Sequence, residues 1–301
     1  MKLILSILLI SNCIFAITPS DVYKEANSIK LALAKSVNEK IGDTLLPIID
    51  IDLKGSKPHH VFSLTTALNE KIRVYMIQNS IDGFKSFSYP NEKVTPAHVY
   101  KLMQIVQENI KLAIPNSSFY RTPASNKTPA DVMIEITFAN LWMDKLLKGK
   151  IKPSYPYWIT LKIENSLKKI AEKLNIKTSN AENCFNYKSI NPKKVFLNAS
   201  IFYQKLSLHD ELLNGNTNPS TPYDILSSGV KVSPADVFTL SVFILNYLKS
   251  FEYSLGIEVD SNNSLNISQN RKPLDVYQRY ENLNFILNEI INKTGAKSCK
   301  N

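Results

Sequence analysis

Thr128-Pro129-Ala130-Asp131-Val132-Met133 decides how this chain is read, because the same phrase returns along it. Strong forms are Thr18-Pro19-Ser20-Asp21-Val22-Tyr23, Thr95-Pro96-Ala97-His98-Val99-Tyr100, Ser233-Pro234-Ala235-Asp236-Val237-Phe238 and Lys272-Pro273-Leu274-Asp275-Val276-Tyr277. Looser forms are Lys57-Pro58-His59-His60-Val61-Phe62, Tyr155-Pro156-Tyr157-Trp158-Ile159-Thr160 and Asn191-Pro192-Lys193-Lys194-Val195-Phe196, which brings the total to eight copies. Each residue type has a reason to open a helix. Thr, Ser or Asn accepts an orphan N–H as N-cap, and proline at the first helical position loses no donor that is needed. An aspartate three residues after the cap reaches back to it and suits the positive dipole end.

Outward from each phrase, apolar residues follow at heptad-like spacing. Positions 3, 7, 10 and 14 after the proline read Val99, Met103, Val106 and Ile110 in the third copy, and Val276, Tyr280, Leu283 and Leu287 in the eighth. That 3-4-3 rhythm puts the side chains on one stripe of a helix. The phrases therefore predict an all-α fold with helices over 19–40, 58–78, 96–114, 129–148, 156–174, 192–208, 234–253 and 273–293. Pro19, Pro58, Pro96, Pro129, Pro192, Pro234 and Pro273 mark helix starts, and Asp21, Asp131, Asp236 and Asp275 act as cap carboxylates.

The prolines are 39, 38, 33, 27, 36, 42 and 39 residues apart, too irregular for a strict solenoid. The connectors are long for hairpin loops in a bundle, so consecutive helices can run parallel and bring several starts together, or they can alternate. The lysine run Lys145, Lys148, Lys150, Lys152 falls near the middle. It suggests two duplicated four-helix units, residues 17–150 and 151–301; a single eight-helix bundle fits the same pattern. Apolar connectors such as 45–51 are expected to pack over helix ends, and one or two to form short strands.

The 301 residues carry 44% hydrophobic and 21% charged side chains with only 8 glycines, a globular composition. Met1-Lys2, the apolar run Leu3–Ile10 and the stretch ending at Ala16 read as a secretory signal peptide cut near Ala16. Two alternatives are an uncleaved anchor and a lipid-modified Cys13. Cleavage removes Lys2 and takes the formal charge from +10 to +9. The mature chain has no transmembrane span and is expected in the periplasm or outside the cell. There Cys184 and Cys299 form a possible disulfide closing a loop of 115 residues.

Catalytic signatures are scarce in this sequence. It holds no His-Glu-x-x-His, no phosphate-cradling glycine loop and no Gly-x-Ser-x-Gly elbow, so zinc hydrolases, nucleotide enzymes and α/β-hydrolases are disfavoured, and no cofactor is expected. His60 and His98 occupy equivalent phrase positions and, if the starts converge, are candidates for a metal site; polar helix-start residues are more economically structural, as are the four aspartates. The aromatics Tyr23, Phe62, Tyr100, Phe196, Phe238 and Tyr277 are candidates for facing a ligand or partner, although at that spacing most aromatics belong to a core.

A cationic exported protein meets anionic envelope polymers or an envelope protein as partner; export leaves nucleic acid out. The sequence thus points to a non-enzymatic exported scaffold or adaptor, or to a small-molecule-binding or sensory module with an inter-helix cleft.

Overall fold

The computed structural model describes residues 16–42, 53, 55–179, 189–214, 232–259 and 270–292. Among these the protein is all-helical, and no strand is present. Its helices are α1 (Pro19–Ile41), α2 (Pro58–Gln78), α3 (Pro96–Ala113), α4 (Pro129–Leu147), α5 (Ser154–Lys173), α6 (Pro192–Asn214), α7 (Pro234–Ser254) and α8 (Pro273–Asn292). Seven begin at the phrase proline. The exception is α5, which begins two residues before Pro156 with Pro153 as its N-cap. Pro156 sits inside the first turn, where backbone N–H groups have no intrahelical partner to lose. Segment 45–51, Cys13, Cys184 and Cys299 lie outside the described residues.

The phrase works as cap chemistry. Thr18 Oγ1 and the Thr18 N–H both donate to Asp21 Oδ2, at 2.7 and 3.1 Å. Thr128 with Asp131 repeats this at 2.7 and 2.8 Å, and Ser233 with Asp236 at 2.7 Å for both bonds. In α8 the Lys272 N–H donates to Asp275, and at α6 the Lys194 N–H donates to the Asn191 side chain. Where histidine replaces aspartate, the imidazole plays the acceptor: Nδ1 of His60 takes the Lys57 N–H at 3.2 Å, and Nδ1 of His98 takes the Thr95 N–H at 3.1 Å.

Helix contacts form two rings. In the first, α1 touches α3 and α4, and α2 touches α3 and α4; in the second, α5 touches α7 and α8, and α6 touches α7 and α8. Advancing each number by four converts the first set into the second. Each ring is cored by layers taken from the phrase rhythm. Below the phrase valines of the first ring come Ala26, Thr65, Met103 and Ile136, then Ile29, Leu68, Val106 and Ala139, then Leu33, Ile72, Ile110 and Met143, all at most 1% exposed. The second ring runs Ile163, Ala199, Ser241 and Tyr280 at the first of these levels, all fully buried.

Helices within a ring run parallel, since the four first-ring prolines share one end and, in the second ring, Ser241 and Tyr280, each seven residues after its proline, hydrogen-bond at 2.7 Å; connector length explains how. Residues 42–57, 79–95 and 114–128 join the first four helices. Fifteen extended residues reach about 50 Å, more than the roughly 28 Å rise of α4, so the chain can return to the starting end. The α4–α5 connector, 148–153, spans only about 20 Å when extended, so there the chain must reverse. The second ring consequently points the opposite way.

The rings meet through α2 and α7. His60, in the first turn of α2, stacks near Phe243 and Tyr247 in the second half of α7, at 6.2 and 6.5 Å between ring centroids. Both helices are apolar or buried around most of their circumference, including Val61 through Leu68 in α2 and Ala235 through Lys249 in α7. Each packs against three neighbours rather than two. Among the described residues, no helix is long and apolar enough to cross a membrane.

Candidate functional site

The first four helix starts converge. Pro19, Pro58, Pro96 and Pro129 stand around a shallow open dimple of about 10 Å³, and its floor is Val22, Val61, Val99 and Val132. The valines are 1–3% exposed and the prolines are half-buried, so each helix contributes one rigid rim residue and one core residue. Proline has no N–H, and the Asp21 and Asp131 amides are taken by Thr18 Oγ1 and Thr128 Oγ1, so the proline and valine lining offers apolar surface rather than the bare amides of an anion site. Four aligned dipoles would raise an uncancelled positive potential at this end; the carboxylates of Asp21 and Asp131 offset part of it. Hydrogen bonds from Thr18, then from its backbone and from Lys24, hold the Asp21 carboxyl down at about 2. Backbone and side-chain bonds from Thr128, with Lys127 nearby, lower Asp131 in the same direction despite burial.

The phrase aromatics do not line this dimple. Phe62, Phe196 and Phe238 are core, at most 2% exposed, with Phe62 packed edge-on against Phe87 and Tyr89. Tyr23, Tyr100 and Tyr277 are half-buried on the outer helix faces. Tyr23 donates to Glu135 at 3.4 Å and lies beneath the Lys127 ammonium, while Tyr100 accepts from Arg121. Tyr277 offers its backbone carbonyl to Asn198.

The histidines take separate paths. His60 is 5% exposed between His59, Phe243 and Tyr247, whereas His98 Nε2 pairs with Glu92 at 2.9 Å on the surface. Burial, reinforced by His59 and Lys57, holds His60 well below the ordinary imidazole range. Among the described residues, no group of three or more His, Cys, Asp or Glu side chains is placed to hold a metal ion.

Two further recesses lie away from the phrases. One, where α2, α5 and α7 meet, holds Glu70 beside Trp158, Lys162 and Lys249. Burial pushes the Glu70 carboxyl up, opposed by Arg73, Lys162 and Lys249. The other is a half-open cavity of about 170 Å³ at the far end of the first ring, where α1, α2 and α4 finish, lined by Lys40, Tyr75, Lys148 and Lys150 among others. Its lysines come from positions over a hundred residues apart, which no spacing rule connects; the run Lys145–Lys152 was the one local sign of it.

Comparison with family models, with curated proteins and with solved structures gives no match to this chain.

Proposed function

We propose that the protein is an exported, non-enzymatic helical scaffold or adaptor, and that a protein of the cell envelope docks on the end of the first ring. One observation carries this reading: four copies of a repeated phrase present the same proline and valine pair around a single dimple.

The face is preorganised. Proline fixes the backbone at each first turn and the capping boxes lock the residues on either side, so little order is lost when a partner binds. An apolar surface of the partner packs over the shallow dimple and its proline rim, and polar contacts come from Thr18, Thr95, Thr128 and their cap partners. The apolar run Leu3–Ile10 behind Lys2 supports export, and the cationic balance of the chain suits an envelope setting.

The test offers solubilised envelope proteins of the native cell to the immobilised mature chain and to an Ala97→Arg/Ala130→Arg variant. Both alanines lie in first turns beside the rim and are only half-buried, so the variant is expected to keep its circular dichroism while losing the partner that wild type retains. Equal retention by both chains refutes the assigned face. A wild type that retains nothing refutes the adaptor reading.

A further inference from the structure

We propose that the cavity at the opposite end of the first ring binds a phosphate group. This site is distinct from the phrase-bearing face and does not depend on it. The cavity's 170 Å³ is roughly ten times what one ordered water needs. Lys40 at the end of α1, Lys148 at the C-cap of α4 and Lys150 just beyond it face this space from three positions, and among the described residues no carboxylate lines it.

Lysines at helix ends have an ordinary duty, which is to answer the partial negative charge of the last carbonyls. Here the count goes beyond that duty. Three helix ends carry about −0.5 each, or about −1.5 together, so three ammonium groups leave an excess of about +1.5. Neither Lys148 nor Lys150 is paired with a carboxylate among the described residues.

The remaining donors are ordered for an anion. Lys40 Nζ donates to Tyr75 Oη at 3.0 Å, so the phenol keeps its own proton to give to a ligand. Gln78 spends its amide on the Lys150 carbonyl at 3.0 Å, and Asn79 spends its amide on the Tyr75 carbonyl at 2.7 Å; both bonds brace the wall. Lys148 holds a left-handed backbone, φ 48° and ψ 43°, at a C-cap where glycine is favoured. Gly149 follows it, also left-handed at φ 70°. A side chain is thus kept at a position where having none would be easier for the backbone.

The donor set favours phosphate over carboxylate. A planar two-oxygen anion is served best by the fork of an arginine, and no arginine lines the cavity. Separate ammonium groups and a phenol converging from several sides suit a tetrahedral anion with oxygens in every direction. Such a group arrives either on a soluble phosphomonoester or on a lipid head group.

Calorimetric titration of the mature chain with glycerol 3-phosphate, and separately with inorganic phosphate, is expected to show saturable single-site binding that weakens as salt rises. Lys148→Gly and Lys150→Gln are each expected to weaken it by about tenfold. Lys148→Gly also relieves the left-handed backbone, so its melting temperature should equal or exceed that of wild type, and a loss of affinity is then no loss of fold. Sedimentation with phosphatidylglycerol vesicles separates the sources: pelleting that glycerol 3-phosphate reverses means that the pocket takes a head group, and absence of pelleting assigns it to soluble ligands. The proposal is overturned if wild type shows no saturable binding of either free anion, including the case where vesicles still pellet it, or if both variants bind like wild type.

Discussion

Lys71 Nζ donates to Asp144 Oδ2 across 2.8 Å, joining α2 to α4 through an ammonium whose side chain is only 1% exposed. Burial pushes the Asp144 carboxyl up to about 6, Lys71 pulls it down, and Asp236 at the start of α7 adds to the rise. One charged cluster therefore joins two helices of the first ring, α2 and α4, to α7 of the second. Because the folded value is above the unfolded one, the contribution of neutral Asp144 is complete below the unfolded value of 3.8 and is lost as pH climbs through about 6. Lys71→Met strands a buried carboxylate once that group is ionised. The expected cost is about 3–5 kcal/mol at pH 8 and clearly less at pH 5, where Asp144 accepts a proton. Urea unfolding at the two pH values checks this, and an equal cost at both would remove the assigned role of Asp144.

Asn109 brackets the backbone of a connector. Its Oδ1 accepts the Lys85 N–H at 2.8 Å and its Nδ2 donates to the Lys85 carbonyl at 2.9 Å, with a further bond to Asn69, all at a fully buried position. Asn109→Ala leaves several buried polar groups unpaired and is expected to cost about 3 kcal/mol. Hydrogen exchange at the Lys85 amide should rise by more than that of the α3 core. If the global stability falls while that amide stays protected, the bracket is not what holds the connector.

How far the sequence could be read depends on how local the chemistry is. Caps involve residues three apart, so the starts of α1, α2 and α3 fall where the phrases place them, and the layers through Val106 and Ile110 follow from spacing alone. The α5 start shows the limit, since Pro153 and Ser154 open that helix without a cap side chain. Helix direction was open because a connector of fifteen or more residues permits either sense; only the short stretch 148–153 dictates one. The α2–α7 join was also hidden. It rests on helices apolar on several faces, and such helices do not name their neighbours. The residue after each valine lies about 100° further round its helix, which takes Phe62 off the dimple floor and sets it against Phe87 and Tyr89.

His60 makes the α2 start sensitive to acid. Its Nδ1 must stay unprotonated to accept the Lys57 N–H, and its ring is packed among His59, Phe243 and Tyr247. The folded value lies below the unfolded 6.5, so the stability is fully present above pH 6.5 and falls as pH drops below it, because the unfolded chain takes up the proton first. The loss is at most one proton's worth, about 1.4 kcal/mol per pH unit. His60→Asn keeps an acceptor for the cap and removes the titration. Between pH 5 and 6.5 its stability should vary less steeply with pH than that of wild type; parallel curves would show that His60 does not govern this range.

The join between the rings predicts what happens when they are separated. Helix α2 buries Thr66, Glu70 and its apolar residues against α3, α4 and α7 together, and α7 is enclosed by α2, α5 and α6. A chain of residues 16–153 keeps every contact of the first ring but uncovers the strip of α2 that faces α7, including His60 and the side chains around Glu70. The ring has its own layered core, from Val22 down to Met143, so helicity should survive by circular dichroism. The uncovered strip is apolar and contiguous, so the fragment should self-associate in light scattering and bind a hydrophobic dye, while the full mature chain at the same concentration does neither. Adding separately prepared residues 151–301 should suppress both signals, because α7 restores the missing neighbour. A monomeric, dye-silent fragment would mean that α2 needs no cover from α7, and the charged cluster around Asp144 would then be the main bond between the rings.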